Sequence, residues 1–523
     1  MSDLTNTGVF VVEGLSRDKT IPAHRGSVTA FLGPAPRGPV DRPVQINGYD
    51  QYRRVFCSPG SHSRLEHLAR QFFANGGESV WVIRVAASGR SNLIDMPGPA
   101  GSLVLRAINP GPFEHIRASV DYDGVSAHES GYFNLVIQRV RSASESLVEE
   151  QEIYSKVSVN QGDLRYVGHL LAQSRLVQVP ANVPDAAPTP TISGDAIKVV
   201  SYVDCQIDWP LGSVPDDYDL VGSAAKGTGL FALNSLHDLD VLCMLSGAED
   251  RDIGPVAQLA AERYCNARQA MLVVDPSVAW KTVAEVIAGQ GQLRLTSPNV
   301  MTYYPLLRTR AESGQAIVVS AMGAIAGALV ASQEKRNSVA LHDSNAVTIR
   351  GRYRPAIDIS GDQSALLARF GINSLMPATR LQMKLCGNVT MARTGGVTGE
   401  WKALTHRREG LFIVGSIRKS TTWAGNETNT PELWAEISEQ VREFLSTLRR
   451  EGRLAGEFDE QAFYIKCDAE TNAQAVGATG DVTFLAGLAL NEPNAFSTFR
   501  FHRAGDQCEI TELGVRAGSM LRH

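Results

Sequence analysis

Long hydrophobic runs are missing from this chain. The most apolar stretch of the 523 residues, Ala316 to Ala331, is interrupted by glycine and falls short of the ~18 residues that a membrane-spanning helix needs. The opening residues Met1 to Phe10 have neither a basic n-region nor an apolar core, so no export signal is expected there. Cysteine pairs are missing too. The seven cysteines are Cys57, Cys205, Cys243, Cys265, Cys386, Cys467 and Cys508. No two form a C-x-x-C pair, and no Cys/His cluster has zinc-ligand spacing. The odd number leaves at least one thiol without an intrachain partner. An excess of positive charge is also absent. The net charge is −5, which argues against a protein whose main task is neutralising phosphates. Neither membrane insertion nor direct nucleic-acid contact is expected.

Catalytic signatures are equally scarce. No G-x-x-x-x-G-K-[ST] phosphate cradle occurs, and neither does H-E-x-x-H or G-x-S-x-G. Gly227-Thr228-Gly229 resembles the start of a dinucleotide fingerprint, but Ala232 stands where its third glycine would be. A simple turn into a helix is the plainer reading. Ser416 to Lys419 fits an S-x-x-K spacing, yet it lies within a helical pattern and lacks the companion motifs. His67 and His237 read as solvated or core residues, and Asp216-Asp217 and Glu149-Glu150 as hydrated loop charges. Asn388-Val389-Thr390 matches a glycosylation sequon that a chain without an export signal does not use. The screen selects no catalytic, cofactor-binding or metal-binding residue. One alternative stays open, an α/β metabolic enzyme with cofactor contact near Gly227 to Leu230.

What is present is a well-patterned globular chain. Hydrophobic residues make up 43% and charged residues 20%, a balance that builds cores and argues against disorder. At roughly 150 residues per domain, about three domains are expected. Gly8 to Gly14 is an isolated β-prone run with no hairpin partner nearby. Ser27 to Leu32 predicts a strand, followed by a Gly/Pro turn at Gly33 to Pro39. Ser63 and Glu66 have capping-box spacing ahead of a helix whose apolar face is Leu65, Leu68, Ala69, Phe72 and Phe73. Asn75-Gly76-Gly77 ends it, and Ser79 to Val85 is a strand.

From about Gly89 to Ile207 the pattern turns β-rich, with strands predicted at Leu103 to Ile108, Ile116 to Asp121, Phe133 to Val140 and Glu152 to Val159. The Pro-rich Val179 to Ser193 reads as an exposed loop. An α/β pattern then returns: helices at Val256 to Arg268 and Val278 to Gly289, strands at Met271 to Asp275 and Val300 to Leu306. Ala316 to Ala331 reads as a buried helix. Helices are predicted at Arg407 to Thr421 and at Pro431 to Glu451, the second strongly amphipathic. Strands follow at Phe463 to Cys467, Val482 to Leu490 and Phe496 to Phe501, then a tail, His502 to His523, with no partner of its own. The fold class is therefore α/β (α+β) and multidomain, a mixed core with a β-rich insert and extended terminal strand arms. The expected division is 1–20, 21–88, 89–207, 208–345, 346–501 and 502–523.

Several of these segments resemble one family. Ser27-Val-Thr-Ala-Phe-Leu-Gly33, Ala35-Pro-Arg-Gly-Pro39, Arg70-Gln-Phe-Phe-Ala-Asn-Gly-Gly77 and Val80-Trp-Val-Ile-Arg-Val85 are similar to the opening of contractile phage tail sheath proteins. Gly229 to Leu233, Tyr303-Tyr304-Pro305 and Gly371-Ile372-Asn373 resemble the middle of that family. Trp423, Trp434, Val441 to Leu445, Gly452, Phe463 to Asp468 and Thr471-Asn472 resemble its close. The chain departs from the family at Ile317 to Met322, where a proline-containing stretch is usual, and in its longer tail beyond Phe501.

The resemblance implies a structural subunit of a contractile injection system, not an enzyme, with no cofactor. Such subunits stack as sixfold rings around a tail tube and contract to drive the tube through the target cell envelope. The implied partners are further copies of the chain, the tail tube protein, and baseplate and tail terminator proteins. The implied location is the virion tail, assembled in the host bacterial cytoplasm. Another self-assembling virion protein is a further alternative. Terminal strands of one subunit would add to the sheet of a neighbour. The candidates are Val9, Phe10, Val11 and Val12 at one end and Ile510, Leu513 and Val515 at the other, with Leu15 to Ile21 and His502 to Gln507 as hinges. The domain at 346–501 would face the tube, through Arg418, Lys419, Glu436, Glu439, Arg442 and Glu443. Cys57, in a polar loop, and Cys508, on the tail, are candidates for an inter-subunit disulfide.

Overall fold

The computed structural model describes residues 20–517, apart from 23–26, 59–62, 88–91, 127–130, 143–146, 181, 194–198, 208–213, 249–250, 294, 312–313, 335–346, 393–398, 474 and 476. The chain divides into two compact units. The larger spans Gly26–Arg336 and Asp343–Arg393; the smaller holds residues 399–517 and 20–22.

The larger unit is organised around β1 (Thr29–Gly33), which is buried along its whole length. On one face Phe31 meets Phe72 edge-on at 5.4 Å. On the other, Ala30 and Leu32 pack with Leu230, Leu233 and Ala261. A strand covered on both sides reads as a continuous apolar run rather than an alternating one. Next come β2 (Val44–Ile46), α1 (Tyr49–Phe56), α2 (Arg64–Ala74) and β3 (Val80–Arg84). The Ser63 hydroxyl accepts the Glu66 N–H at 3.1 Å, as the spacing predicts. The Glu66 carboxylate accepts instead from the Tyr49 hydroxyl at 2.9 Å, so half of the capping box forms.

The β-rich stretch is a two-sheet sandwich. Its strands are β4 (Asn92–Met96), β5 (Leu103–Ala107), β6 (His115–Asp121), β7 (Tyr132–Val140) and β8 (Val148–Ser158). After the short helix α3 (Val167–Leu171) come β9 (Val177–Gln178), the small pair β10 (Ile192–Ser193) and β11 (Val199–Val200), then β12 (Val203–Asp204) and β13 (Gln206–Ile207). One sheet runs β12-β6-β7-β8 and the other β13-β4-β5-β9. Ile94, Leu105, Ile116, Phe133, Leu135 and Ile137 fill the space between. Arg84 fastens this sandwich to the sheet it interrupts. Only 1% exposed, it donates to the carbonyls of Ala35 at 2.8 Å, Gly38 at 2.7 Å and Pro110. Three acceptors compensate a buried guanidinium that a single carbonyl would leave costly.

The chain then returns to the core sheet through α4 (Asp217–Val221), a 3-10 turn at Gly229–Ser235, β14 (Val241–Met244), α5 (Pro255–Arg268), β15 (Met271–Val274), α6 (Val283–Leu293) and β16 (Val300–Tyr304). Next are β17 (Leu307–Arg310), β18 (Ala316–Val319), α7 (Met322–Glu334), β19 (Thr348–Arg350), β20 (Arg354–Pro355), α8 (Gly361–Arg369), β21 (Asn373–Thr379) and β22 (Gln382–Cys386). The nine-stranded sheet has the order β19-β22-β21-β16-β15-β14-β1-β3-β2. Its six central strands are parallel and its edges antiparallel.

Three readings are corrected here. Ala316 to Ala331 is not one helix: Ala316–Val319 pairs with β17, and the helix begins at Met322. β-branched Ile317, Val318 and Val319 favour the strand. Helix α6 starts at Val283 rather than Val278, because the Glu285 carboxylate accepts the N–H groups of Lys281 at 2.7 Å and Thr282 at 3.2 Å and fixes the start there. The boundary expected at 346 also moves. Strands β19, β21 and β22 complete the larger sheet, and the larger unit runs to Arg393. Gly371-Ile372-Asn373 belongs to that closure, since buried Asn373 donates to the Thr302 and Val389 carbonyls at 3.2 and 2.8 Å.

The smaller unit is a four-stranded antiparallel sheet backed by two helices. α9 (Leu404–Ser420) and α10 (Pro431–Arg450) match their predicted ranges closely. Thr430 caps α10, its hydroxyl accepting the Leu433 N–H at 3.4 Å, and Pro431 occupies the first helical position. The short α11 (Asp459–Ala462) leads into β23 (Phe463–Lys466), β24 (Asp481–Leu488), β25 (Ala495–Ala504) and β26 (Gln507–Ala517). Ile413, Ile417, Ile437, Val441 and Phe444 pack against Phe484, Phe499 and Phe501. Ile21 joins the same core.

Candidate functional site: the edges and outer face of the smaller unit

Strand order in this unit is β23-β24-β25-β26, which leaves β23 and β26 as its two edges. The tail expected to lack a partner is β26. It pairs with β25 from Ala504↔Gln507 to Ala495↔Ala517 across the two-residue loop Gly505-Asp506. Gly505 has φ +60°, which this hairpin turn requires of its first residue. His502 to Gln507 is therefore a hairpin and not a hinge. Ile510 packs at the rim of the core. Val515 pairs opposite Ser497, and Leu513 is the extra residue of a bulge completed by Gly514 at φ +83°. The Glu512 carboxylate bonds Arg407 of α9 at 2.9 Å and the Trp401 indole N–H. The sequence carried the signal, since Gly-Asp between two β-prone runs is a hairpin turn. The other proposed arm, Val9 to Val12, and most of the Leu15 to Ile21 link lie outside the described residues.

The outward face of α10 is acidic. Glu432, Glu436, Glu439 and Glu443 follow one another at helical spacing and all are exposed. Of the candidate tube contacts, Glu439 and Arg442 bond each other at 3.2 Å. Lys419 is exposed and Arg418 half-buried on α9. Like charges three or four residues apart weaken a helix by a few tenths of a kcal/mol each, about 0.2–0.5, while Glu432, in the first turn, favours the helix start.

Beneath it the unit is held by buried charges. Glu409, with its side chain fully buried, is bonded by Arg453 at 2.7 and 2.8 Å. Arg453 also lies 4.5 Å over the Phe412 ring. Asn472, in the Phe463 to Asn472 segment, donates to the Asp468 and Thr483 carbonyls at 3.1 and 2.9 Å, which closes the loop after β23 onto β24.

Neither candidate disulfide thiol is well placed for exchange. Both are free in the chain and half-buried. Burial, reinforced by Glu66, pushes the Cys57 thiol up to about 12. Burial also raises Cys508, against the neighbouring Arg503 and Arg418 guanidiniums. The thiolate is the species that exchanges, so both surroundings oppose the bridge.

The Gly227–Leu230 turn does not make a phosphate cradle. The Gly229 N–H, the donor a phosphate would need, is bonded by the Asp41 carboxylate at 2.7 Å. Gly229 needs its positive φ of 58° and also sits against the backbone of Asp219 and Leu220. In the S-x-x-K match, Ser416 is buried and Lys419 exposed. Among the described residues no group of His, Cys, Asp and Glu could hold a metal, and no helix is long and apolar enough to cross a membrane.

The sequence matches no known family profile and no curated protein. Solved structures do match. A sheath complex of an extracellular contractile injection system in its contracted state aligns over 94% of this chain and 96% of its own, with TM-score 0.53 and 13% identity. The chain has the tail-sheath fold. The sheath tail protein of Listeria innocua aligns over 97% of both chains, with TM-score 0.53 and 12% identity. That of Desulfitobacterium hafniense aligns over 98% of this chain and 100% of its own, with TM-score 0.52 and 10% identity. The sheath fold thus accounts for nearly the whole sequence, the β-sandwich and both units included.

Proposed function

We propose that this chain is the sheath subunit of a contractile tail or injection particle, polymerising as stacked sixfold rings around a tube and shortening to drive that tube through an envelope. The observation that carries the reading is end-to-end fold similarity to sheath proteins, covering 94–98% of this chain. The enzyme alternative is opposed by the Asp41 carboxylate on the Gly229 N–H, which puts negative charge where a cofactor phosphate would sit.

The subunits are joined by strand addition. Residues 8–14 of one copy lie along an open edge of the β23-β24-β25-β26 sheet of another, satisfying main-chain groups that the edge leaves unpaired. The acidic α10 face meets a basic face of the tube protein. Exposed ion pairs contribute roughly 0–1 kcal/mol each, enough in number to register the two polymers and weak enough singly to release on firing. Contraction needs no nucleotide, because the extended array is metastable and each subunit releases free energy as it repacks. Baseplate and terminator proteins close the two ends of the polymer.

Negative-stain microscopy of the expressed chain tests the reading. Striated hollow cylinders are the expected result. Dispersed single chains that carry a bound cofactor would overturn it.

A further inference from the structure

A cleft of about 660 Å³ opens in the larger unit, at the C-terminal ends of β15 and β16. In open, mostly parallel sheets this end is where ligands bind, and the volume is that of a small-molecule pocket. Three helices begin at its wall. Arg64 and His67 come from the first turn of α2, Lys281 precedes α6 and Ser320 precedes α7. Helix starts carry partial positive charge, although Ser63, Glu285 and Ser320 already take several of their N–H groups.

The side chains add full charges of the same sign. Arg64, Arg70, Lys281 and Arg310 line the cleft, against one lining carboxylate, Glu66. Carboxylates stand behind this wall as well: Asp252 accepts from Ser277 and Val278, Glu285 from the Lys281 N–H, and Asp275 lies just beyond the end of β15. It lies 3.8 Å from Arg64 and accepts from the Ser320 hydroxyl at 2.8 Å, and burial holds its carboxyl up at about 6. The remaining wall is apolar, with Trp280, Leu306, Ile317, Val319 and Ile357.

One lining group lacks the partner its burial calls for. Tyr304 is 1% exposed, and its hydroxyl has no hydrogen-bond partner among the described residues. Buried hydroxyls are almost always bonded, so the core beside the cleft carries one polar group without an acceptor.

We propose that this cleft binds a small organic anion, a carboxylate, sulfonate or phosphate carried on an aromatic or branched apolar body. The basic groups take the anion and the Trp280 side takes the body. The inference does not depend on assembly and is tested on the purified chain.

The probe is 8-anilinonaphthalene-1-sulfonate, titrated by fluorescence. One saturable site per chain is expected. The double variant Arg70→Ala/Arg310→Ala, its fold checked by circular dichroism, should bind at least tenfold more weakly. Val318→Trp, at a cleft-lining position that is 57% exposed, should block the site without altering charge, which covers the case of a poorly folded double variant. Phe458→Ser removes an exposed aromatic of the smaller unit and should change nothing. Naphthalene-2-carboxylate should displace the probe, and neutral 2-naphthylmethanol should not. Undiminished binding to both cleft variants, or equal competition by the neutral compound, overturns the proposal.

Discussion

In the larger unit α2 and α7 meet through bare backbone. A Cβ on Gly323 or Gly327 would collide with the carbonyls of Leu68 and Phe72, and the Gln71 side chain bridges the gap by donating to the Ser320 carbonyl at 2.8 Å. In the smaller unit the helices are joined to their surroundings through charge. Glu409 pairs with Arg453, and Glu512 of β26 with Arg407 of α9. The first arrangement is steric and fails when volume is added. The second is electrostatic and fails when one partner is removed. The edges differ in the same direction. The parallel sheet is flanked by antiparallel strands on both sides, whereas the smaller sheet ends on β26, a strand of 11 residues whose outer edge pairs with no other strand among the described residues. The strand addition proposed above would use that edge.

The largest effect should come from deleting 507–523. Removing β26 takes away ten paired positions along β25 and the Glu512 partner of buried Arg407, so the smaller unit should fail to fold and near-ultraviolet circular dichroism should lose the Trp401 and Trp434 signal. Deleting 1–14 should leave the unfolding transition unchanged and abolish only assembly. Equal thermal stability of the two truncations would show that β26 is not an integral part of its own sheet.

Arg453→Leu comes next. It takes the guanidinium away from the buried Glu409 carboxylate, at an expected cost of about 3–5 kcal/mol in denaturant unfolding. Adding Glu409→Leu should recover most of the loss, because a desolvated pair is often replaceable by apolar packing. Gly327→Leu, in the other unit, should cost about 1–3 kcal/mol by forcing α7 away from α2, and no second charge change should rescue it. If the double Leu variant stayed as unstable as Arg453→Leu, the contrast between the two units would not hold.

Much of this architecture was legible in the residues. The 3.6-residue period of Leu433, Trp434, Ile437, Val441 and Phe444 located α10 from Pro431 onward, while its Thr430 cap emerged only in the structure. The Arg70 to Gly77 segment was readable as a helix end, but the reason for its composition was not. Gln71, Phe72, Asn75 and Gly76 serve α7 and β19, about 250 to 275 residues away in the chain, and no local pattern encodes such contacts. Ala316 to Ala331 misled because an apolar run has the same look in a strand and in a buried helix. The cleft was invisible for a related reason, since Arg64, Lys281, Tyr304 and Arg310 come together only when β15 and β16 align. The tail was a different kind of miss: Gly505-Asp506 is a local turn signal, and weighing it as one would have paired β26 from sequence.

The smallest expected effect separates stability from assembly. Glu443 is exposed on α10, four residues beyond Glu439, and that like-charge spacing slightly weakens the helix. Glu443→Lys replaces the repulsion with a Glu-to-Lys attraction in the favourable direction, which should stabilise the chain by about 0.2–0.5 kcal/mol. If the acidic stripe exists for the helix or for solubility alone, that gain is the whole result and cylinders form as before. If the stripe meets a basic tube, reversing one charge in every subunit repeats the loss along the polymer, where even a fraction of a kcal/mol per copy sums to a large deficit. Co-expression with the tube protein then yields fewer tube-filled cylinders from a chain that is itself slightly more stable, the more so at low salt, where exposed charges are least screened. A variant that gains stability and still sheathes tubes normally would remove α10 from the tube-facing surface.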